Sequence, residues 1–414
     1  MKRLLLLSLM FGLPLQSAGF GREDLPSRIR TSRPSRTGTN LAMGPLLPIP
    51  WGLSEFGKAF NHGLVTVEEK RTLERLSHTL TVWQNAGFVP LYGGMGDGAG
   101  FALGLRYTRR VGSSQLQSTA QASARLYQHY SVELTKNIGS LRFGPLAVFR
   151  HRPQEDFFGT GADSLKQART TFSFQDENAG WRTTVKIGRV GLEHTIRWNH
   201  VEIGRGTDRR FPELQQLFDD SHAPGRFASD DWLTNDVTAS LDLRDNPADP
   251  RAGARIEAAA STHEGLSETK TDYTTYRLAA FVYLPLSVPR EHVLAVRSEL
   301  IHTDSDGALP FYAQPALGGS GTLRGYREYR FRDRDAFLAS AEYRYEVWRH
   351  MDTVLFADLG QVYSDVFDQL SARSLRSSVG AGLRFKSSRG LVMRINAGQS
   401  IEGARLFFTF GPSW

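Results

Sequence analysis

From Gly98 onward the chain alternates. Gly100, Ala102, Gly104 and Arg106 interleave with Phe101, Leu103, Leu105 and Tyr107, so small residues share one face and large apolar residues the other. Far downstream, Phe337, Ala339, Ala341, Tyr343, Tyr345 and Val347 alternate with Leu338, Ser340, Glu342, Arg344 and Glu346. A period of two puts successive side chains on opposite faces of an extended strand. With aromatics on one face and polar groups on the other, such a strand separates lipid from a polar interior. The pattern predicts strands near 98–107, 115–124, 128–136, 139–150, 168–176, 179–187, 190–203, 232–245, 252–263, 270–285 and 291–303. Five more follow near 334–347, 351–363, 376–386, 389–399 and 403–411. Sixteen is an even number, and most of these runs reach the ~9–11 residues that a tilted spanning strand needs. The expected fold is therefore all-β: a sixteen-stranded antiparallel transmembrane β-barrel over 98–414 with a short N-terminal extension.

The extension reads differently. Lys2 and Arg3 precede the apolar run Leu4–Leu15, which ends in Gln16, Ser17, Ala18 and Gly19. That order of charge, apolar core and small residues predicts a signal peptide over 1–19. No later segment reaches the ~20 continuous apolar residues of a spanning helix, so spanning falls to strands. Residues 20–97 are expected to form a periplasmic linker, rich in Arg, Ser and Pro as far as Gly38. Thr66 and Glu69 can form a capping box. Behind them Val67, Leu73, Leu76 and Leu80 give an apolar face to a helix near 66–81, expected to pack on the nearest core rather than plug a barrel mouth.

Loop lengths orient the strands. With a periplasmic N-terminus, the turns at Gly188-Arg189, Trp348–His350 and Ser387-Ser388 fall on the periplasmic side. The long connections 204–231 and 304–333 fall outside, as is usual for outer-membrane barrels. The segment 151–167 breaks the rule: it is expected on the periplasmic side, where it is long for a turn.

Composition narrows the chemistry. The 414 residues include no cysteine, so disulfides and thiolate metal sites are excluded. The formal net charge is +7, and Arg22, Arg28, Arg30, Arg33 and Arg36 crowd into one short segment. The basic excess is thus largely a tail, and no helix-turn-helix, zinc finger or RNA-binding aromatic motif accompanies it; no nucleic-acid partner is expected.

One long connection stands apart. Leu317–Asp333, LGGSGTLRGYREYRFRD, is too polar for a strand, rich in glycine and arginine, and flanked by alternating runs. Its core GGSGTLRGY resembles the sixth extracellular loop signature of the BamA/TamA superfamily of outer-membrane barrels, the bacterial surface antigens. LDLRDNPADPRAGARIE (Leu241–Glu257) is similar to that family's strand–periplasmic turn–strand motif, carried by Asp242, Arg244, Asp245, Asn246, Pro247, Pro250 and Gly253. LFADLG (Leu355–Gly360) matches the family's phenylalanine-x-aspartate-x-glycine strand through Phe356, Asp358 and Gly360. The resemblance covers roughly 98–414.

The resemblance implies a long loop folded back into the lumen, where Arg324 of the Arg324-Gly325-Tyr326 triplet meets carboxylates on the two following strands. Glu342 and Asp358 stand at the matching places, and parity puts both opposite the lipid face. It also implies a seam between first and last strands at which client proteins or lipids are handled. Relatives carry periplasmic POTRA modules, each a βααββ unit, whereas 20–85 offer one helix and no strand set. The last run, with Gly403 opening it, Leu406, Phe408 and Phe410 on one face and Trp414 at the end, looks like the signal read by the barrel assembly machinery.

Catalytic and metal motifs fail on spacing. Gly318–Thr322 resembles a nucleophile elbow, but Thr322 replaces its last glycine and no helix follows. Asp304-Ser305-Asp306-Gly307 lacks the bidentate glutamate of a calcium loop. Gly93, Gly94, Gly96, Gly98 and Gly100 precede a strand rather than open a helix, which suits a flexible seam and not a phosphate cradle. His194 sits beside Leu192 and Ile196 on the outward face, an interface position. The expectation is a barrel that is not an enzyme and uses no cofactor or metal. Its expected partners are outer-membrane lipids, the assembly machinery and client proteins or lipids. The alternative is a passive pore or an anchor barrel.

Overall fold

In the computed structural model the described residues are Trp83, 85–93, 95, 96, 98–267, 271–371, 374–387 and 390–410. The expected signal peptide over 1–19, nearly all of the expected linker with the helix predicted near 66–81, and Trp414 lie outside them. The chain divides into two compact units, Met1–Val89 and Pro90–Trp414, and the second carries the barrel.

The alternating runs become strands that each pair with the next in antiparallel register. In chain order they are β1 Phe88–Tyr92, β2 Ala102–Val111, β3 Ser114–Ser123, β4 Gln128–Ile138, β5 Leu141–Phe157, β6 Thr170–Ile187 and β7 Val190–Arg205. Then come β8 Ser229–Asp242, β9 Gly253–Gly265, β10 Tyr273–Pro285 and β11 His292–Ser305. A two-residue ladder, β12 Ala316–Leu317 with β13 Phe331–Arg332, sits within the long connection after β11. The sheet resumes with β14 Asp335–Trp348, β15 Met351–Tyr363, β16 Arg376–Ser387, β17 Gly390–Ser400 and β18 Gly403–Phe410. Without β12 and β13, the main sheet holds sixteen strands in the order of the sequence. It makes a nearly closed barrel, with β1 and β18 at the two ends of the order. Antiparallel neighbours satisfy each other's backbone groups, the condition for a sheet in hydrocarbon.

The faces follow the pleat. Leu355 and Leu359 of β15 are exposed toward the lipid side, while the alternating Val354, Phe356 and Asp358 are buried toward the lumen. Leu103 on β2 and Leu406 and Phe408 on β18 likewise face out.

Two strand assignments change. The runs 168–176 and 179–187 are one strand, β6. Gln175, Asp176, Glu177 and Asn178 look like turn chemistry in the sequence. Here the polar run crosses the barrel, with Asp176 and Asn178 buried and Asp176 accepting from Arg150 Nε and Nη2 at 3.1 and 2.7 Å. In compensation β1 joins the sheet upstream of the first predicted strand. Its five residues include Pro90, tolerated because a sheet-end strand need not donate on its outer side.

Joining the two runs also moves 151–167. Residues 151–157 belong to β5, and 158–169 connect β5 to β6 at the same end as the long connections 206–228 and 306–334. The opposite end holds the tight turns 112–113, 139–140, 188–189 and 349–350. Over the long-loop end, Phe157, Phe172, Leu214, Trp232, Leu309 and Phe311 form an apolar cluster. Among the described residues no helix is long and apolar enough to cross a membrane.

Candidate functional site

The connection between β11 and β14 turns inward. Gly318 and Gly319 take positive φ values of 122° and 87°, in the region that glycine enters without a Cβ clash. A side chain at Gly318 would also strike the carbonyl oxygen of Arg327. Thr322 Oγ1 closes the bend, accepting from Gly318 N at 2.7 Å and donating to its carbonyl at 2.8 Å. Leu323 and Tyr326 then bury against Leu317, Phe331, Leu338 and Val362, with Tyr326 edge-on to Phe331 at 5.2 Å. These apolar anchors leave Arg324, one residue on from Leu323, aimed at the inner wall.

Arg324 is 2% exposed, as is Glu342, and Asp358 is 0% exposed. Nε and Nη2 of Arg324 donate to Asp358 Oδ2 and Oδ1 at 2.9 and 2.6 Å, and the backbone N–H adds a third bond at 3.1 Å. Nη1 donates to Glu342 Oε1 at 2.5 Å. Glu342 Oε2 also accepts from Arg344 Nε and Arg384 Nη1, each at 2.9 Å. Asp358 Oδ2 takes a further bond from Ser378 Oγ at 3.2 Å. The guanidinium lies 3.7 Å over the Phe356 ring, a cation–π stack. One planar fork thus holds Asp358 through two parallel bonds while reaching Glu342, a bidentate geometry that an ammonium cannot copy.

The wall is shaped to receive this loop. A Cβ at Gly325 would come within 2.6 Å of Ser400 Cβ and 2.8 Å of Ser378 Cβ. Instead Ser400 Oγ donates to the Gly325 carbonyl at 2.8 Å. A methyl at Gly398 would collide with the Arg324 carbonyl oxygen, and one at Gly360 would meet Leu317 at 3.1 Å. Arg324, Gly325, Tyr326, Glu342, Phe356, Asp358 and Gly360 therefore converge on one place.

A second clamp lies above it. Arg330 Nε donates to Glu402 Oε1 at 2.8 Å, and its Nη1 and Nη2 donate to Ser164 Oγ and O at 2.9 and 2.8 Å. Gly161 N donates to the Arg332 carbonyl at 2.7 Å. The connection 158–169 thus ties down the inward loop. Sequence reasoning missed Arg330, Ser164 and Glu402, because their partners are far apart in the chain and follow no spacing.

The two other motifs lie elsewhere. In the turn after β8, Arg244 forks onto Asp242 with bonds of 2.8 Å. Asp245 Oδ1 accepts from the backbone of Asn246, Arg251 and Ala252 at 2.8, 3.0 and 3.2 Å, and Arg290 reaches Oδ2 at 2.7 Å. Burial acts to raise the Asp245 pKa, but these donors outweigh it and hold the carboxyl below its ordinary value. Asn246 Oδ1 accepts from Ala248 N at 3.0 Å, Pro247 is exposed and Pro250 buried, and Gly253 has φ +101°. Arg251 joins the turn to the barrel through Asp352 at 2.9 Å. On β18, Gly403 opens the strand with φ +116°, and Leu406 and Phe408 face outward. Among the described residues no His, Asp or Glu cluster is arranged to hold a metal ion.

A family model described as the Omp85 superfamily domain matches residues 105–401. This chain belongs to the Omp85 superfamily. Among solved structures it is similar to BamA from Haemophilus ducreyi lacking POTRA domains 1–3, with 16% identity and a TM-score of 0.57 over 78% of this chain and 68% of that one. It is also similar to CdiB from Escherichia coli, with 12% identity and a TM-score of 0.51 over 78% of this chain and 61% of that one. At these identities the likeness concerns the fold, and the chain spans less than two thirds of that CdiB. No curated protein sequence matches it. In this barrel the site described above fastens the long connection to the inner wall, and β1 and β18 stand at the two ends of the sheet order.

Proposed function

We propose that this Omp85 barrel resides in the outer membrane and assists the insertion or translocation of proteins or lipids at the seam between β1 and β18. Residues 1–19 direct export, 20–97 form a periplasmic linker before the barrel, and the long loops face outside, following the usual length asymmetry. Arg324, Glu342 and Asp358 keep the loop seated, which stiffens the wall from β14 to β17 next to the seam. Asp242 to Gly253 form a periplasmic turn. Gly403, Leu406, Phe408, Phe410 and Trp414 present the last strand to the assembly machinery.

The observation that carries this reading is the end of the sheet. Among the described residues β1 has five residues and β18 eight, and the strand order runs from β1 to β18 without joining them. An unpaired strand edge is a template for pairing or for passage between lipid and lumen. A passive pore is less well supported, because the inward loop packs on the inner wall and an apolar cluster lies over the long-loop end.

The test uses the absence of cysteine in the native chain. Gly93 and Phe410 meet across the seam, so a Gly93→Cys/Phe410→Cys variant can staple it. In depleted cells, the oxidised variant should fail to restore outer-membrane protein or lipid composition, and reductant should restore it. Loss of several barrels would identify protein insertion, and altered lipid asymmetry would identify lipid handling. Full rescue by the oxidised form would refute the seam reading in favour of an anchor or pore.

A further inference from the structure

A cavity of about 730 Å³ lies at the long-loop end of the seam. Its floor is set where Gly93 meets the ring of Phe410. Above that point β1 has ended, and Gly96, Gly98 and Gly100 line the gap beside Glu328, Tyr127 and Arg125. The cavity therefore has two kinds of wall. Phe101, Leu406 and Phe408 line it, and all three are about 60% exposed on the lipid side (60%, 58% and 59%). Arg327 and Arg405 line it from the lumen side.

The charges are unevenly matched. Asp208 is taken by Arg210 through bonds of 2.8 and 2.7 Å, and Asp156 pairs with Arg169 at 3.0 Å. Glu155 couples to Tyr127 and Tyr329, and the Glu328 carboxylate stands beside Gly96 at 3.6 Å from where a Cβ would lie. Arg327 and Arg405 pair with no carboxylate among the described residues, and Arg405 Nε is buried without a partner. Burial first, and then the charge of Arg169, lower the Arg327 pKa, and Asp156 and Glu402 offset only part of this. Two guanidiniums facing a solvent-filled gap are a fitting receptor for phosphate oxygens.

We propose that the outer end of the seam binds the phosphate group of an anionic amphiphile, with Arg327 and Arg405 on the phosphate and the acyl chain along Phe101, Leu406 and Phe408. The loop lengths put this cavity at the height of the outer leaflet, and its mixed walls match a headgroup–chain junction. The inference rests on the seam reading for the location of the gap, and not on what the barrel inserts. It names a ligand class, and it explains why Arg327 directly follows the lock triplet. The lock that seats Arg324 also fixes one wall of the cavity.

The purified full chain in detergent can be titrated with phosphatidic acid, phosphatidylcholine or inorganic phosphate and read by native mass spectrometry. Phosphatidic acid is expected to bind at one site and phosphatidylcholine far more weakly. Charge-assisted hydrogen bonds imply about a tenfold loss for each of Arg327→Ala and Arg405→Ala. Arg405→Lys keeps the charge and should lose less than Arg405→Ala. Folding of each variant is checked by its heat-modified gel mobility. Equal binding of both lipids, or arginine variants that fold and bind normally, would overturn the site. Inorganic phosphate competing at the lipid's own affinity would overturn the amphiphile and leave a simple anion site. Failure here with intact seam-stapling sensitivity would refute the lipid site alone; the reverse result would refute insertion and keep the site.

Discussion

Replacing Arg324 by alanine removes three side-chain bonds and the stack on Phe356 together, and the structure says where the cost falls. Glu342 keeps Arg344 and Arg384, so it remains compensated. Asp358 keeps only Ser378 Oγ and the backbone N–H of residue 324, and it is fully buried. Breaking one side of a buried pair costs about 3–5 kcal/mol, because the remaining charge is left in a poor solvent. In the equilibrium between seated and released loop, that is roughly a hundredfold to a few thousandfold. Lysine retains a charge but loses the two parallel bonds to Asp358, and about 1.5–3 kcal/mol is expected for the bonds it cannot remake. The assay is heat-modified gel mobility together with limited proteolysis, where cutting should rise near the exposed Gly321. A second change separates charge from shape. Asp358→Asn in the Arg324→Ala background removes the orphaned charge, so the double variant should be more heat-resistant than Arg324→Ala, the sign of coupling that a mutant cycle measures. If Arg324→Ala melts and digests like the parent, or if Asp358→Asn adds its own loss in full, the lock does not hold the loop.

Three further outcomes are expected. Gly398→Ala places a methyl on the Arg324 carbonyl, so it should release the loop and reproduce the proteolysis of Arg324→Ala without changing any charge. Asp245 has a depressed pKa in the folded turn; its contribution is therefore present above the ordinary carboxylate range and fades as pH falls through that range toward the folded value. Proteolysis of the turn after β8 should rise in that window for the parent, whereas Asp245→Asn should be equally susceptible at neutral and acid pH. Deleting Trp414 and replacing Phe408 and Phe410 by serine should leave export intact and stop assembly, which fractionation and loss of heat-modified mobility would show. Parent-like membrane levels would remove the C-terminal signal from the account.

Alternation made the strands legible because each has one face in lipid and the other in a polar lumen, so side-chain chemistry reports position directly. The lock was legible for a related reason. Glu342 and Asp358 sit on even positions in strands whose odd positions are apolar, so their inward direction follows from parity. The clamp of Arg330 on Ser164 and Glu402 had no such signature, since these groups come from three separate connections whose meeting is decided by the folded loops. Gly398 was equally silent. A glycine in a strand is ambiguous until the backbone that presses on it is known.

The strand count agreed for the wrong reasons, and its consequences show how strongly a barrel constrains direction. Splitting β6 adds one crossing, and omitting β1 removes one, so the total stays sixteen. The direction of β2 to β5 does not stay the same, because each reverses when the crossing at 177–178 disappears. That reversal carries 158–169 from the short-turn end to the long-loop end, where it meets Arg330 and Arg332. It also carries the glycines after β1 to the outer end of the seam, beside Arg405 and Phe408. The misreading arose from four polar residues in a row, a composition that marks a turn in a soluble sheet. In a barrel with a charged lumen, the inward members of such a run find partners, as Asp176 does in Arg150. The short β1 has a consequence of the same kind: among the described residues it ends at Tyr92, while β18 reaches back to Gly403 at the long-loop end, so the gap between them lies at that end.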